Sequence, residues 1–207
     1  RAALSKVLAP GAPNSEAAWQ EALKAVPNAD GRRTLYLDRS QRQKLLETID
    51  AEAAPFFRAL CLLPLRPGAL AALKAGDFDK RTSELTIGKD KTGKARRIQL
   101  PAGAAALLTA QSKNKLPAAS LFTRGNGKAW DKNSWKLPIG VAVKAAGLPD
   151  EATAYTLRHS TITDLVSAGL PLLTIAQISG TSAEMIERHY GHLASDAAVK
   201  ALGELAL

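Results

Sequence analysis

The sequence predicts an α+β fold that is mainly helical and carries one small antiparallel β-sheet. Apolar residues recur at helical spacing along most of the chain, as in "APFFRALCLL" and "PLLTIAQIS". One pair of short segments, 83–87 and 95–100, instead alternates apolar with polar residues, which is typical of a β-hairpin. Three successive helical segments each end on a glycine, at Gly169, Gly180 and Gly191, where a helix C-cap belongs.

Start signals predict the first two helices. The segment "DRSQRQKLLETI" opens with Asp38 or Ser40 as its N-cap, and each of them has a glutamine three residues later. Pro55 is expected to start the second helix, because proline suits the first turn.

A bend is predicted where this second helix ends. Pro64 disfavours the α conformation at Leu63, and Pro67 does the same at Arg66. Pro67 can itself serve as the first residue of a third helix. We therefore expect Arg66 at a fixed bend between two helices.

The predicted hairpin has one buried face and a basic tip. Four apolar residues, which alternate with polar residues along the two strands, would share the buried face: Leu85, Ile87, Ile98 and Leu100. The connecting loop "GKDKTGK" is rich in lysine, and two arginines follow it closely.

The chain is expected to have three parts. Residues 1–33 form an arm or linker, because "PNADGRR" is rich in turn-forming residues. A compact domain follows over 34–193, and 194–207 forms a separate amphipathic C-terminal helix. At the start of the earlier helix "SAEMIERHYG", "TSAE" matches a capping box, with Thr181 as N-cap and Glu184 at N3.

The composition indicates a polyanionic partner. The 207 residues include 28 Lys and Arg against 19 Asp and Glu, which leaves a net charge of +9. Such an excess favours nucleic acid as the partner, although solvated surface lysines would produce the same count. The single cysteine, Cys61, can form no internal disulfide and fits a reducing cytosol.

Several kinds of site have no signal in the chain. No Walker-type phosphate loop, no acidic cluster spaced for magnesium and no nucleophile-elbow serine occurs. No apolar run approaches the roughly 20 residues of a membrane span, and no signal peptide is found. The chain starts on Arg1 rather than methionine, as a fragment or processed chain would. These observations favour a chemistry without metal or nucleotide cofactor.

Four residues suited to phosphoryl chemistry fall at the ends of predicted elements. Arg66 lies at the bend, and Arg158 lies at the start of the helix "LRHSTITDL". Lys91 lies near the hairpin tip, and Tyr190 lies in the last turn of "SAEMIERHYG". Arginine binds phosphate through two parallel hydrogen bonds, and a tyrosine hydroxyl can attack phosphorus when its charge is stabilised. Taken singly, each has a plainer interpretation as a surface charge or a packing residue.

Their order and spacing resemble the tyrosine recombinase, or phage integrase, family over about 34–193. "LLPLRPGALAAL" is similar to the family's first catalytic box, and "KTGKARRIQLP" is similar to its β-hairpin lysine motif. The stretch from "YTLRHSTITDL" to "ERHYGHL" is similar to its second box, whose nucleophilic tyrosine follows a Gly-His step by nine residues. Here Gly180 and Thr181 occupy that step, and Tyr190 lies nine residues after Thr181.

The resemblance implies a tyrosine recombinase catalytic domain that acts as a site-specific DNA recombinase. Arg66 and Arg158 would hold the scissile phosphate, and Tyr190 would form a 3′-phosphotyrosyl bond. Lys91 would protonate the leaving 5′ oxygen, or Lys89 if the register is shifted by two. The phosphotyrosine keeps the energy of the broken phosphodiester, so neither ATP nor a metal would be needed.

The resemblance also implies the partners. The enzyme would bind a double-stranded recombination site as a homo-oligomer, a tetramer on DNA, in the bacterial cytoplasm with the nucleoid and away from membranes. Residues 1–33 would be a remnant of the family's N-terminal core-binding domain, and helix 194–207 could dock in cis or on a neighbouring protomer. Five further residues would contact DNA: Lys89, Lys94, Arg96, Arg97 and His159. For His159 a structural place in the core is the alternative.

Four positions depart from the family's pattern. Pro64 replaces a small turn residue, and Ala69 replaces an acid that would support Arg66. Tyr155 and Thr181 stand where the family has catalytic histidines, and we assign both to the catalytic set. A phenol with a pKa of about 10 is a poor general base at neutral pH but a good hydrogen-bond donor. The group that takes the nucleophile's proton is therefore left open.

Two other interpretations need weighing. His189 and His192 flank the nucleophile, but Gly191 is expected to end the helix and make them diverge, so we expect no metal site. A degenerate DNA-binding relative without catalysis and a type IB topoisomerase stay as alternative functions. A recombinase cleaves DNA covalently, whereas the degenerate relative would not. A recombinase also exchanges strands between duplexes, whereas a type IB topoisomerase would relax one supercoiled duplex.

Overall fold

A computed structural model describes residues 35–88, 95–203 and 205. These residues lie within the second of the two units into which the chain divides, Arg33–Leu207. The predicted arm at 1–33 lies outside the described residues, as do the three lysines of the hairpin tip. No helix in the described ranges is long and apolar enough to cross a membrane.

The described residues form eight α-helices and a three-stranded antiparallel sheet of order β1-β2-β3. The predicted class, α+β and mainly helical with a small antiparallel sheet, is confirmed. The elements, in chain order, are α1 (Arg39–Thr48), α2 (Ala54–Leu62), α3 (Pro67–Ala72), β1 (Phe78–Asp79), β2 (Glu84–Ile87), β3 (Arg96–Gln99), α4 (Ala102–Ser112), α5 (Lys136–Ala145), α6 (Ala154–Ser167), α7 (Leu172–Ser179) and α8 (Ala183–Gly203).

The helix starts follow the local signals closely. Asp38, rather than Ser40, is the N-cap of α1, and it forms a capping box with Gln41. Helix α2 begins one residue before Pro55 and ends with Leu63 as its C-cap, and Pro67 is the first residue of α3. The two prolines around Arg66 therefore make the predicted bend.

The sheet contains the predicted hairpin and one strand that the sequence did not predict. Strands β2 and β3 pair with Leu85 opposite Ile98 and Ile87 opposite Arg96. Leu85 and Ile87 are buried, which confirms the predicted buried face. The added strand, β1, has only two residues, too few for an alternating pattern. Because Arg96 lies opposite Ile87, it belongs to the same inward face.

Two apolar clusters form the core. The larger cluster fills the space between α1–α5, the sheet and the start of α6, and stacked aromatic rings lie at its centre. Phe56 stacks on Trp130 with ring centroids 4.8 Å apart. The smaller cluster lies between α6, α7 and α8 and includes Tyr190. Helix α6 contributes to both clusters, so it fixes one relative to the other.

Helix α6 begins three residues earlier than predicted. Thr153 caps it in a capping box with Thr156, so Tyr155 and Arg158 lie one turn apart on the same helix. Polar groups of α6 also reach other elements: Ser160 accepts a hydrogen bond from the Leu37 amide at 2.9 Å. These side-chain bonds anchor the helix that carries Arg158.

Helices α6 and α7 end as predicted, but α8 does not. Gly169 and Gly180 have left-handed backbones, with φ of 80° and 69°. Gly191, by contrast, lies inside α8, which continues to Gly203, so the predicted C-cap and the separate C-terminal helix are wrong. Leu193 and Ala194 pack against the smaller cluster beyond this glycine. Their packing outweighs the roughly 1 kcal/mol that an internal glycine costs.

Candidate active site

Arg158 is buried and held by two backbone carbonyls. Its side chain lies inside the protein, and the residue is 8% exposed. Its Nη1 donates to the Pro64 carbonyl at 2.6 Å and to the Ser179 carbonyl at 2.9 Å. Burial, and next the charge of Arg66, lower the pKa of this guanidinium from 12.5 to about 10. It stays protonated at neutral pH, and a bound anion would offset the cost of burying its charge.

Arg66 reaches the same region from the bend. It is the N-cap of α3, with an extended backbone, and its side chain is exposed. Its Nη1 donates to the Gly180 carbonyl at 2.5 Å. The Gly180 carbonyl therefore serves as a hydrogen-bond acceptor for Arg66. The family's pattern has an acidic residue to support this arginine, at the position that Ala69 occupies here.

Arg96 reaches that region from the hairpin. From the inward face of β3, its Nη1 donates to the Ile178 carbonyl at 3.2 Å and to the Gln177 carbonyl at 3.4 Å. Its guanidinium lies directly over Gly180, where a Cβ would overlap it. The sequence predicted a DNA contact for Arg96, but its guanidinium is directed at the protein's own backbone.

The C-terminal end of α7 thus collects three arginines from three different elements. The last carbonyls of an α-helix have no partner within the helix, and those of residues 177–180 accept hydrogen bonds from Arg96, Arg158 and Arg66. The negative end of the helix dipole also reduces the repulsion between the guanidinium groups. Glycine at 180 permits both the left-handed turn and the close approach of Arg96. This helix end is the scaffold of the site.

Tyr190 lies beside this scaffold with its hydroxyl bonded to His159. The residue is 9% exposed, and its ring packs in the smaller apolar cluster. The hydroxyl oxygen is 2.8 Å from His159 Nδ1, and the two ring centroids are 5.2 Å apart. The charge of Tyr190 raises the pKa of Arg158 against the larger lowering effects of burial and of Arg66. The hydroxyl and the imidazole are therefore in contact within one chain, and the imidazole belongs to the residue next to Arg158.

Tyr155 lies at the exposed side of the site. It precedes Arg158 by one turn of α6 and is 38% exposed. Its charge makes a small upward contribution to the pKa of Arg158, after the larger lowering effect of burial. The catalytic role predicted for Tyr155 stays a prediction.

Thr181 ends α7 rather than starting α8. Its N–H donates to the Ala176 carbonyl at 3.2 Å, which completes the glycine turn. Ser182 is the N-cap of α8, because its Oγ accepts from the Met185 N–H at 3.2 Å. The predicted capping box of Thr181 and Glu184 is therefore wrong by one residue, since the turn at the end of α7 uses the threonine.

Of the remaining basic residues of the hairpin, only Arg97 lies among the residues that the structure describes. Lys89, Lys91 and Lys94 lie outside the described residues, and their predicted roles stay predictions. Arg97 is on the outward face of β3, with Nε 3.7 Å from Glu84 Oε1 and a side chain that is 73% exposed. It is available to solvent, in contrast to its neighbour Arg96.

The histidines of α8 lie on one continuous helix. The prediction that Gly191 ends the helix, so that His189 and His192 diverge, is therefore wrong. The His189 ring meets the Tyr190 ring edge-on at a centroid distance of 6.5 Å. Within the described ranges, no group of three or more His, Cys, Asp or Glu residues is arranged to hold a metal ion.

A mainly helical domain with a small sheet holds Arg66 and Arg158 at the end of α7, and Tyr190 is bonded to the histidine next to Arg158, as expected for a tyrosine recombinase catalytic domain. The sequence profile of the phage integrase family matches residues 36–196. The chain therefore belongs to the phage integrase family and is a site-specific DNA recombinase. No curated protein matches the chain in sequence.

Solved recombinases share this fold. The Tn1549 transposon integrase, in complex with transposon right end DNA, has a TM-score of 0.71 at 20% identity, covering 87% of this chain and 69% of that one. The XerA recombinase has a TM-score of 0.63 at 22% identity, covering 75% and 60%. The catalytic domain of bacteriophage HP1 integrase has a TM-score of 0.59 at 20% identity, covering 80% and 93%. The chain thus spans nearly all of an isolated catalytic domain and about two thirds of the longer recombinases.

Proposed function

We propose that this recombinase cuts one DNA strand at a time through Tyr190 and joins the cut end to another duplex. The observation that carries the proposal is that the Tyr190 hydroxyl is bonded to His159, the residue next to Arg158, whose guanidinium is bonded to the end of α7. Both groups belong to the same chain, so the proposal includes cleavage in cis. The substrate is a double-stranded recombination site.

In the proposed reaction, the scissile phosphate is transferred from a DNA 5′ oxygen to Tyr190 and then from Tyr190 to the 5′ hydroxyl of a second strand. The Tyr190 oxygen attacks the scissile phosphorus and forms a 3′-phosphotyrosyl bond, while the bond from phosphorus to the 5′ oxygen breaks. Lys91 gives a proton to that leaving oxygen. The 5′ hydroxyl of a second strand then attacks the phosphotyrosine, returns a proton to Lys91 and releases Tyr190. No net energy input is required, since one phosphodiester replaces another.

The arginine pair would hold the phosphate and stabilise its developing charge. Arg66 and Arg158 each donate through Nη1 to an α7 carbonyl. A guanidinium has five N–H donors, so both side chains keep donors for the phosphate oxygens. The buried, positive surroundings that lower the pKa of Arg158 favour an entering anion.

Tyr155 and Thr181 would complete the phosphate site. Tyr155 has an exposed phenol near Arg158, which suits a hydrogen-bond donor to a phosphate oxygen. Thr181 lies between the glycine turn and the N-terminus of α8, where an anion is favoured. We assign neither of them proton abstraction.

The basic surface would hold the flanking duplex. The net charge of +9 and the exposed Arg97 support phosphate contacts along the hairpin, to which Lys89 and Lys94 would add. Such binding weakens steeply with salt. Further DNA contacts would come from parts of the longer recombinases that this chain does not span. Since the proposed substrate is DNA, the enzyme would act in the cytoplasm, at the nucleoid.

The C-terminal part of α8 would dock on a neighbouring protomer when the enzyme assembles on DNA. Val199 and Leu202, one turn apart, are 71% and 67% exposed. They lie on the helix that carries Tyr190, so docking would act directly on the nucleophile's helix. Changing both to Asp should abolish higher-order complexes on DNA in sedimentation experiments, with single-site binding unchanged. Intact complexes in this variant would rule out the docking surface.

The decisive experiment uses a suicide DNA substrate with a nick beside the cleavage site. Wild-type protein is expected to form a covalent protein–DNA adduct, with or without EDTA, and Tyr190→Phe to form none. Arg158→Ala should lose the adduct while binding the DNA. A wild type without adduct would indicate a DNA-binding relative that does not cleave. Relaxation of supercoiled DNA without exchange between duplexes would indicate a topoisomerase.

A further inference from the structure

We infer that His159 accepts the proton of Tyr190 during cleavage and returns it during rejoining. The inference rests on the proposed function and deepens it by naming the catalytic base. Neither Tyr155 nor Thr181, at the positions of the family's histidines, carries a side chain suited to that task.

The geometry meets the first requirement for proton transfer. His159 Nδ1 is 2.8 Å from the Tyr190 hydroxyl oxygen, within the range of about 2.6–3.2 Å expected for a general base and its proton. The two rings are inclined by 34° to each other. The residues are 31 positions apart in the chain, so the contact is made by the packing of α6 against α8.

The surroundings hold this imidazole in place. His159 directly follows Arg158, whose guanidinium is hydrogen-bonded to the Pro64 and Ser179 carbonyls. Two residues further along α6, Thr161 Oγ1 lies 3.2 Å from the Cys61 carbonyl. The backbone on both sides of His159 is thus anchored to other elements, which keeps Nδ1 aimed at the hydroxyl.

The chemistry of the side chains decides between the three candidates. A neutral imidazole has an ordinary pKa near 6.5 and accepts a proton readily at neutral pH. Phenols and alcohols, the groups that Tyr155 and Thr181 carry, are hydrogen-bond donors that accept protons far less readily than an imidazole does. In the tautomer with the proton on Nε2, His159 presents a lone pair to Tyr190.

The step balances without any further reactant. The Tyr190 proton passes to His159 Nδ1 as the phenol oxygen bonds to phosphorus. The bond to the 5′ oxygen breaks, and that oxygen takes its proton from Lys91. On rejoining, the entering 5′ hydroxyl gives its proton to Lys91, and the departing Tyr190 oxygen recovers its proton from His159.

The test compares two neighbouring histidines. His159→Asn keeps a hydrogen-bonding atom near the place of Nδ1 but cannot carry the proton. We expect it to slow cleavage of saturating nicked DNA by about 100- to 1,000-fold, with the DNA dissociation constant within about twofold of wild type. The control is His189→Asn, whose ring contacts Tyr190 edge-on. It should cleave within about threefold of the wild-type rate.

A second measurement separates proton transfer from positioning. Replacing Tyr190 by 2,3-difluorotyrosine makes the phenol more acidic, so it depends less on a base. The deficit of His159→Asn should then shrink by about tenfold or more. The comparison uses four cleavage rates, with tyrosine or difluorotyrosine at position 190 in the wild-type and His159→Asn backgrounds, so a loss of stability common to both His159→Asn proteins cancels.

Two results would overturn the inference. One is wild-type cleavage by His159→Asn, and the other is a deficit that the fluorinated tyrosine leaves unchanged. A wild type that forms no adduct at all would refute the proposed function instead, so the two failures are distinguishable.

Discussion

Gly180→Ala tests whether the end of α7 organises the arginine cluster. The glycine has φ of 69° and ψ of 48°, a left-handed conformation that alanine resists. A Cβ on this residue would also lie 2.6 Å from Arg96 Nη2 and closer to the rest of that guanidinium. Alanine must therefore displace Arg96 from the Gln177 and Ile178 carbonyls.

The size of the effect follows from these two contributions. Placing alanine in a left-handed conformation costs about 1–2 kcal/mol. Loss of the two Arg96 hydrogen bonds, at 3.2 and 3.4 Å, adds about 1–2 kcal/mol in total. Gly180→Ala should lower the free energy of unfolding by about 2–4 kcal/mol in wild type. In an Arg96→Ala background it should lower it by only about 1–2 kcal/mol, because no guanidinium is left to displace.

Urea unfolding of the two single variants and the double variant measures this coupling. The matched control is Gly169→Ala, which has φ of 80° but no neighbouring atom within 4 Å of an added Cβ. It should cost about 1–2 kcal/mol and be additive with Arg96→Ala. Additivity of Gly180→Ala with Arg96→Ala, within about 0.5 kcal/mol, would refute the proposed contact.

Three further predictions concern the rest of the fold. Gly191→Ala should raise the free energy of unfolding by about 0.5–1 kcal/mol in urea titrations, because the residue is inside α8; a loss of stability would indicate a helix end there. Asp164→Ala removes the ion-pair partner of buried Arg42, so thermal unfolding should show a free energy of unfolding lower by about 1–2 kcal/mol. This value is smaller than for a fully buried pair, because the aspartate is partly exposed to solvent. Burial raises the pKa of Cys61 from 9.0 to about 11, so maleimide labelling at pH 8 should be about 100-fold slower than for an ordinary thiol. Labelling at the ordinary rate would contradict the burial of that thiol.

Local chemistry was sufficient to predict much of the scaffold. Proline constrains its own φ and the conformation of the residue before it, so the bend at Arg66 could be predicted from two prolines alone. The inward direction of Arg96 was also predictable but was missed. It lies two residues before Ile98, so alternation alone places it on the buried face of the hairpin.

The end of α8 shows where a local signal fails. Gly191 has the position and the residue type of a C-cap, yet the helix continues through it. Whether a glycine ends a helix depends on what the following residues can bury. Leu193 and Ala194 pack against the apolar cluster between α6, α7 and α8, and that information is absent from the local sequence.

The sequence by itself determined the family, the bend at Arg66 and the tyrosine proposed as the nucleophile, because motif order, proline geometry and residue spacing are all local properties. Only the tertiary structure decided which group faces the Tyr190 hydroxyl. The contact with His159 joins residues 31 positions apart, and the carbonyls of α7 receive arginines from three separate elements. Such contacts depend on how helices pack, which short-range patterns do not encode.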